Sequence, residues 1–221
     1  MGPFLLFTFR FVGKDKDYWR SFFFGGVGWV TALTVRYVPV HIPLIIFPIR
    51  LAVNTFSTTI YYAYTALAAA IFETGFRYLF LRRSKNSYLE KNSSFNSKHV
   101  FTFGIGWGVG EALIVYSLPM IIILLFSSDP LSSSIIFLGS LERNFAIISH
   151  LSLTLIVSSS FVRGKKFLVL ATILHFILDF VPIMTLSITE NFWITELLLA
   201  LISIIMILSV YLTRSHSLNF D

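Results

Sequence analysis

Long apolar runs with ionisable residues near their centres leave a chain few ways to fold. Tyr61 to Leu81, Phe101 to Phe126, Ile135 to Val157 and Phe167 to Leu186 are each about the length of a bilayer-crossing helix. They nevertheless carry Glu73 with Arg77, then Glu111, then Glu142 with Arg143 and His150, and finally His175 with Asp179. A charged residue at the centre of a span costs roughly 2.5–3.5 kcal/mol on insertion scales, so such groups must face one another or water rather than lipid. A polar site inside a membrane bundle is the reading these residues support.

Composition agrees: 56% of residues are hydrophobic and 13% charged, against about 25% charged in soluble domains. The absence of cysteine excludes disulfides and thiolate metal sites. A net charge of +6 would suggest nucleic acid in a soluble protein, but here the basic residues sit mostly in short segments between apolar runs. They read as topology signals, and no nucleic-acid partner is expected.

Taking about 20 residues per span, helices are expected at Tyr18 to Val38, Tyr61 to Leu81, Val100 to Phe126, Ser132 to Ser158, Phe167 to Leu186 and Phe192 to Leu212. The fold class is therefore all-α: a polytopic bundle of about six spans in a single membrane domain over residues 1–221, with its motif-bearing core at 61–186. Lys14, Lys16, Arg20, the segment Arg82 to Lys98, Arg163, Lys165, Lys166 and Arg214 fall on one side. Ser127 to Ser134 and Ser187 to Asn191 fall on the other and contain no Lys or Arg. The positive-inside rule places the first set, and both termini, in the cytoplasm. Gly2 to Val12 reads as a short apolar N-terminal segment. Ile42 to Ser57, interrupted by Pro43, Pro48 and Arg50, reads as a short outer-face helix, amphipathic or re-entrant. Arg82 to Lys98 is expected to be a loop, Arg36, His41 and Arg50 to snorkel at the outer interface, and His99 and His216 to be solvated.

At 1.5 Å of rise per residue, Glu73, Glu111 and His175 lie roughly 3 Å to the cytoplasmic side of their span midpoints, His150 roughly 6 Å to that side, and Asp179 about 4 Å to the other. Four helices thus present polar groups near one level, with substrate access expected laterally or from the cytoplasm. Spacing adds pairs. Glu73 and Arg77 share a helix face, as do His175 and Asp179. Glu142 points about 80° away from His150, which suggests an arginine of another span as its partner. Gly104, Gly106, Gly108 and Gly110, just before Glu111, permit close helix packing, leave room for substrate or water, or do both.

The ordered set FETGFR, GWGVGEA, LERNFAIISHLSLT and HFILDF resembles the YhfC family of intramembrane peptidases. That family is related to the type II C-a-a-X prenyl proteases and bacteriocin-processing enzymes, and more distantly to the Aph scaffolding subunit of gamma-secretase. The resemblance covers Tyr61 to Pro182. It implies an endopeptidase that cuts a membrane-embedded or membrane-apposed peptide with an activated water. Glu73 and Arg77 match its E-x-x-x-R motif, although Phe72 stands where the prenyl protease relatives carry a second acid. Glu111, Glu142, Arg143, His150, His175 and Asp179 match its remaining positions as the catalytic set.

Hydrolysis by water needs a base, an oxyanion stabiliser and an acid for the leaving amine. Glu73 or Glu111 is the expected base, with His175 and Asp179 at the carbonyl and His150 orienting water or donating a proton. Zinc on His150 and His175 with a carboxylate is permitted by the donor types, though no H-E-x-x-H helix is present. Two rival classes use the same residues: a non-catalytic scaffold of the Aph type, and a small transporter with a proton or cation relay.

Overall fold

The computed structural model describes residues 2–46, 55–89, 95–126 and 132–213. Every element among them is helical. The helices are α1 (Gly2–Val12), α2 (Lys16–Ile46), α3 (Thr55–Leu89), α4 (Ser97–Ala112), α5 (Leu118–Phe126), α6 (Ser133–Arg163), α7 (Lys166–Thr189) and α8 (Phe192–Thr213), with a π-helical turn at Leu113–Ser117 joining α4 to α5. Each expected span falls on helical residues, Val100 to Phe126 running through α4, the π turn and α5, and α6 starting from its N-cap Ser132. Four of them, Ser97–Phe126, α6, α7 and α8, are long and apolar enough to cross a membrane. At 31 and 35 residues α2 and α3 have ample length, but they lie outside that apolar group.

Burial follows helical periodicity. On α8 the buried residues are Glu196, Leu199, Ile202, Ser203 and Met206, and on α7 they are Phe167, Ala171, Leu174, His175 and Leu178. Each set is a stripe of period near 3.6, and the opposite faces expose Leu201, Leu208 and Leu212 on α8, as a lipid-facing surface requires. The helix without an outer face is α4. Residues from Thr102 to Val109 are all buried, because α2 packs on one side of α4 and α6 on the other, while α3, α7 and α8 complete the bundle.

The glycines make that central position possible. A Cβ on Gly106 would lie 1.9 Å from the Phe22 carbonyl oxygen of α2, and one on Gly108 would lie 2.8 Å from the Ile147 Cα of α6. Both contacts are with backbone or its Cα, so the neighbouring helix itself would have to move. Close helix packing, one reading of the glycine run, is seen here.

The π turn has a local cause. Pro119 offers no N–H and its ring crowds the carbonyl four residues earlier, which a wider turn relieves, and the Leu118 N–H reaches back to Leu113 O. The Tyr116 hydroxyl, at this turn, donates to Ile136 O at 2.7 Å on α6.

Three expectations about the connections are corrected. Ile42 to Ile46 continue α2 and Thr55 to Ser57 open α3, while the rest of the supposed outer-face helix, with Pro48 and Arg50, lies outside the described residues. The first part of the supposed loop, from Arg82 to Leu89, continues α3. His99 is not solvated: it is 4% exposed, closes a capping box with Asn96 at the start of α4, and packs among Tyr18, Tyr88 and Phe95. His216 lies outside the described residues. The short apolar N-terminal segment is a helix, seated on α4 through Phe7 and Phe11 against Phe101.

Candidate functional site

One chain of polar contacts runs through the bundle, drawing on five helices. The buried Glu73 of α3 is held at Oε1 by Arg36 of α2 and at Oε2 by the Trp107 indole N–H of α4 at 3.3 Å. Arg77, one turn on, is fully buried and lies 4.0 Å from Glu73 Oε2. Its guanidinium stacks over the Trp107 ring at 4.5 Å and donates from Nη2 to His150 Nδ1 of α6 at 2.8 Å. The other nitrogen of His150 meets Glu111 of α4, whose Oε1 accepts from Arg143 at 3.0 Å. Arg143 also grips Glu142. From α7, His175 Nε2 lies 3.7 Å from Glu73 Oε2 and 3.6 Å from Asp179 Oδ2, with its ring 5.4 Å from that of His150.

All eight residues singled out from the sequence therefore belong to one contiguous network. Two details differ from expectation. Glu142 takes Arg143, its own chain neighbour, rather than an arginine of another span. Arg36 does not snorkel; it turns inward to Glu73 and its side chain keeps 19% exposure. An arginine well inside the apolar run of α2 was itself a signal for a buried partner. Glu196 of α8, 8% exposed, was also missed and carried the same signal.

Glu73, His150 and His175 each offer a ligand atom, and the three atoms lie within 4.8 Å of one another. Donors around a tetrahedral zinc at about 2.1 Å sit about 3.4 Å apart, so the 3.7 Å between Glu73 and His175 is near what an ion needs. That separation is too long for a direct hydrogen bond, and the buried His175 Nδ1 and Arg77 Nε and Nη1 have no hydrogen-bond partner among the described residues. Glu111 against His150 is the carboxylate partner that orients a ligating imidazole. Both nitrogens of His150 are engaged, so an ion there displaces either Arg77 or Glu111. The donor set fits a divalent metal on those terms.

A cavity of about 360 Å³ opens onto the site, lined by Glu111, Arg143, His150 and Asp179 and reaching Leu186 and Phe192 beside the α7–α8 turn. A second, of about 430 Å³, lies across Asp179 and Ile183, between α2 and α3. The first cavity thus reaches the end of the bundle that carries the turn without Lys or Arg.

No curated protein matches the chain. The family model described as YhfC intramembrane metalloprotease matches residues 3–130 and 128–199, which takes in every helix that contributes to this network. An all-helical apolar bundle, a buried Glu and His donor set and a match over most of the chain converge on one statement: the chain belongs to the YhfC intramembrane metalloprotease family.

Proposed function

We propose that the protein is an integral membrane endopeptidase that hydrolyses a peptide bond of a membrane-embedded or membrane-apposed substrate at the Glu73, His150 and His175 cluster. The observation that carries this reading is the meeting of those three donors, from three helices, within 4.8 Å. Those three residues would hold a zinc ion, which would supply Lewis-acid polarisation.

The protein's own groups divide the remaining work. Asp179 is the acid best placed as base, because it lies beside His175 while Glu73 is held by Arg36 and Trp107, Glu111 by His150 and Arg143, and Glu142 by Arg143. The Asp179 side chain is 33% exposed and lines both cavities. It takes a proton from the attacking water as the new C–O bond forms, and returns it to the amine nitrogen as the C–N bond breaks. Glu111 fixes the ring of His150, and Arg77 and Arg36 balance the charge of Glu73. Six spans, with both termini cytoplasmic, complete the proposed arrangement.

The test is cleavage of a library of single-span peptides by protein reconstituted in liposomes. Wild type is expected to cleave some members, His175→Ala none, and Asp179→Asn to be slower by about 10²–10⁴-fold. Undiminished cleavage by His175→Ala overturns the proposal.

A further inference from the structure

The cavity beside the site is strongly acidic. Glu111, Glu142, Asp179 and Glu196 all line it, against one guanidinium, Arg143, and the imidazole of His150. Arg143 is committed to Glu111 and Glu142. Glu196 is left over. It is 8% exposed, its Oε2 is buried without a hydrogen-bond partner, and no cation among the described residues lies within ion-pair distance of it.

An unpaired acid buried in an apolar helix is destabilising, and its persistence asks for a partner that arrives from outside. That acid lies on the inward stripe of α8, one turn from Leu199, so rotation toward lipid would take the whole stripe with it. Thr195 lines the cavity too, but its hydroxyl is already donated to Asn191 O. The acid with no such commitment faces the same space as His150 and Asp179.

We infer that Glu196 is a specificity-determining residue, which receives a lysine or arginine side chain of the substrate in this cavity while the scissile bond lies at the His150 and His175 cluster. The inference rests on the peptidase reading for the position of the scissile bond, but not for the binding of the cation. A metal ion is the less suitable occupant, because the donor group found among the described residues, Glu73, His150 and His175, does not include Glu196.

The experiment uses the full chain in nanodiscs and three fluorescent single-span peptides that differ only by lysine, methionine or glutamate near one end of the span. Binding is read by anisotropy and cleavage by gel. Wild type is expected to bind the lysine peptide at least tenfold more tightly than the methionine peptide, Glu196→Gln to bring those two within threefold, and Glu196→Lys to favour the glutamate peptide instead. Equal binding of the lysine and methionine peptides by wild type overturns the inference without any variant needing to fold. Lysine preference without cleavage leaves the cation pocket standing and sinks the peptidase reading. Cleavage without lysine preference does the reverse.

Discussion

Arg77 Nη2 stands 2.8 Å from His150 Nδ1, and because a guanidinium has only donors, the contact assigns the imidazole tautomer. Nδ1 is the acceptor, so the ring proton of neutral His150 sits on Nε2, facing Glu111. Two residues that sequence spacing could not pair, on α3 and α6, thereby set which nitrogen of the central histidine accepts and which carries the proton.

Removing the acceptor on the far side should loosen that ring. Glu111→Gln is expected to weaken zinc binding by about 10–100-fold, the usual effect of losing a carboxylate behind a ligating histidine. Zinc titration against a competing chelator in detergent measures it, and wild-type affinity would show that Glu111 does not orient His150.

Metal content offers a separate check. Purified wild-type protein is expected to bind zinc stoichiometrically and lose activity on chelation, whereas Glu73→Gln and His175→Ala are expected to bind at least tenfold more weakly. Elemental analysis of the three proteins, prepared in parallel, reads this out; equal zinc in all three contradicts the assigned donor set.

Arg36 supports Glu73 from a helix that the sequence reading had left out of the site. Arg36→Ala leaves a buried carboxylate short of its closest cation and should destabilise the protein by about 3 kcal/mol. Arg36→Lys should recover part of this by retaining the charge, and unfolding in detergent compares them. A stability equal to wild type for Arg36→Ala would return that residue to the interface.

Two glycines give opposite expectations. Gly106→Ala drives a Cβ into the α2 backbone and is expected to cost more than about 4 kcal/mol or prevent folding. Gly75→Ala meets nothing within 4 Å and should be neutral or stabilising by up to about 1 kcal/mol. Thermal unfolding decides both, and a well-folded Gly106→Ala would mean that α2 and α4 are not packed backbone to backbone.

Topology is accessible because the chain contains no cysteine. Single cysteines at Lys165 and Ser187, both exposed, are expected to react with an impermeant maleimide from opposite sides of the membrane, Lys165→Cys from the cytoplasmic side. Labelling of both from one side would remove α7 as a span.

The sequence by itself determined that this chain makes apolar helices and that Glu73, Arg77, Glu111, His150, His175 and Asp179 must be hidden from lipid. Those conclusions follow from hydropathy and from a rise of 1.5 Å per residue, which are local properties. The same spacing put Glu73 on a face with Arg77 and His175 on a face with Asp179, pairs that the structure retains at 4.0 and 3.6 Å. Partner choice was not legible, because helical periodicity says which way a side chain points on its own helix but not which helix stands opposite. Only the tertiary structure could bring Arg36 to Glu73 and Arg77 to His150, bury His99 among three aromatic rings, and leave Glu196 facing a cavity with no cation of its own. Those outcomes depend on how closely α4 is gripped between α2 and α6, a contact in which glycines from two helices meet across backbone distances that no single helix specifies.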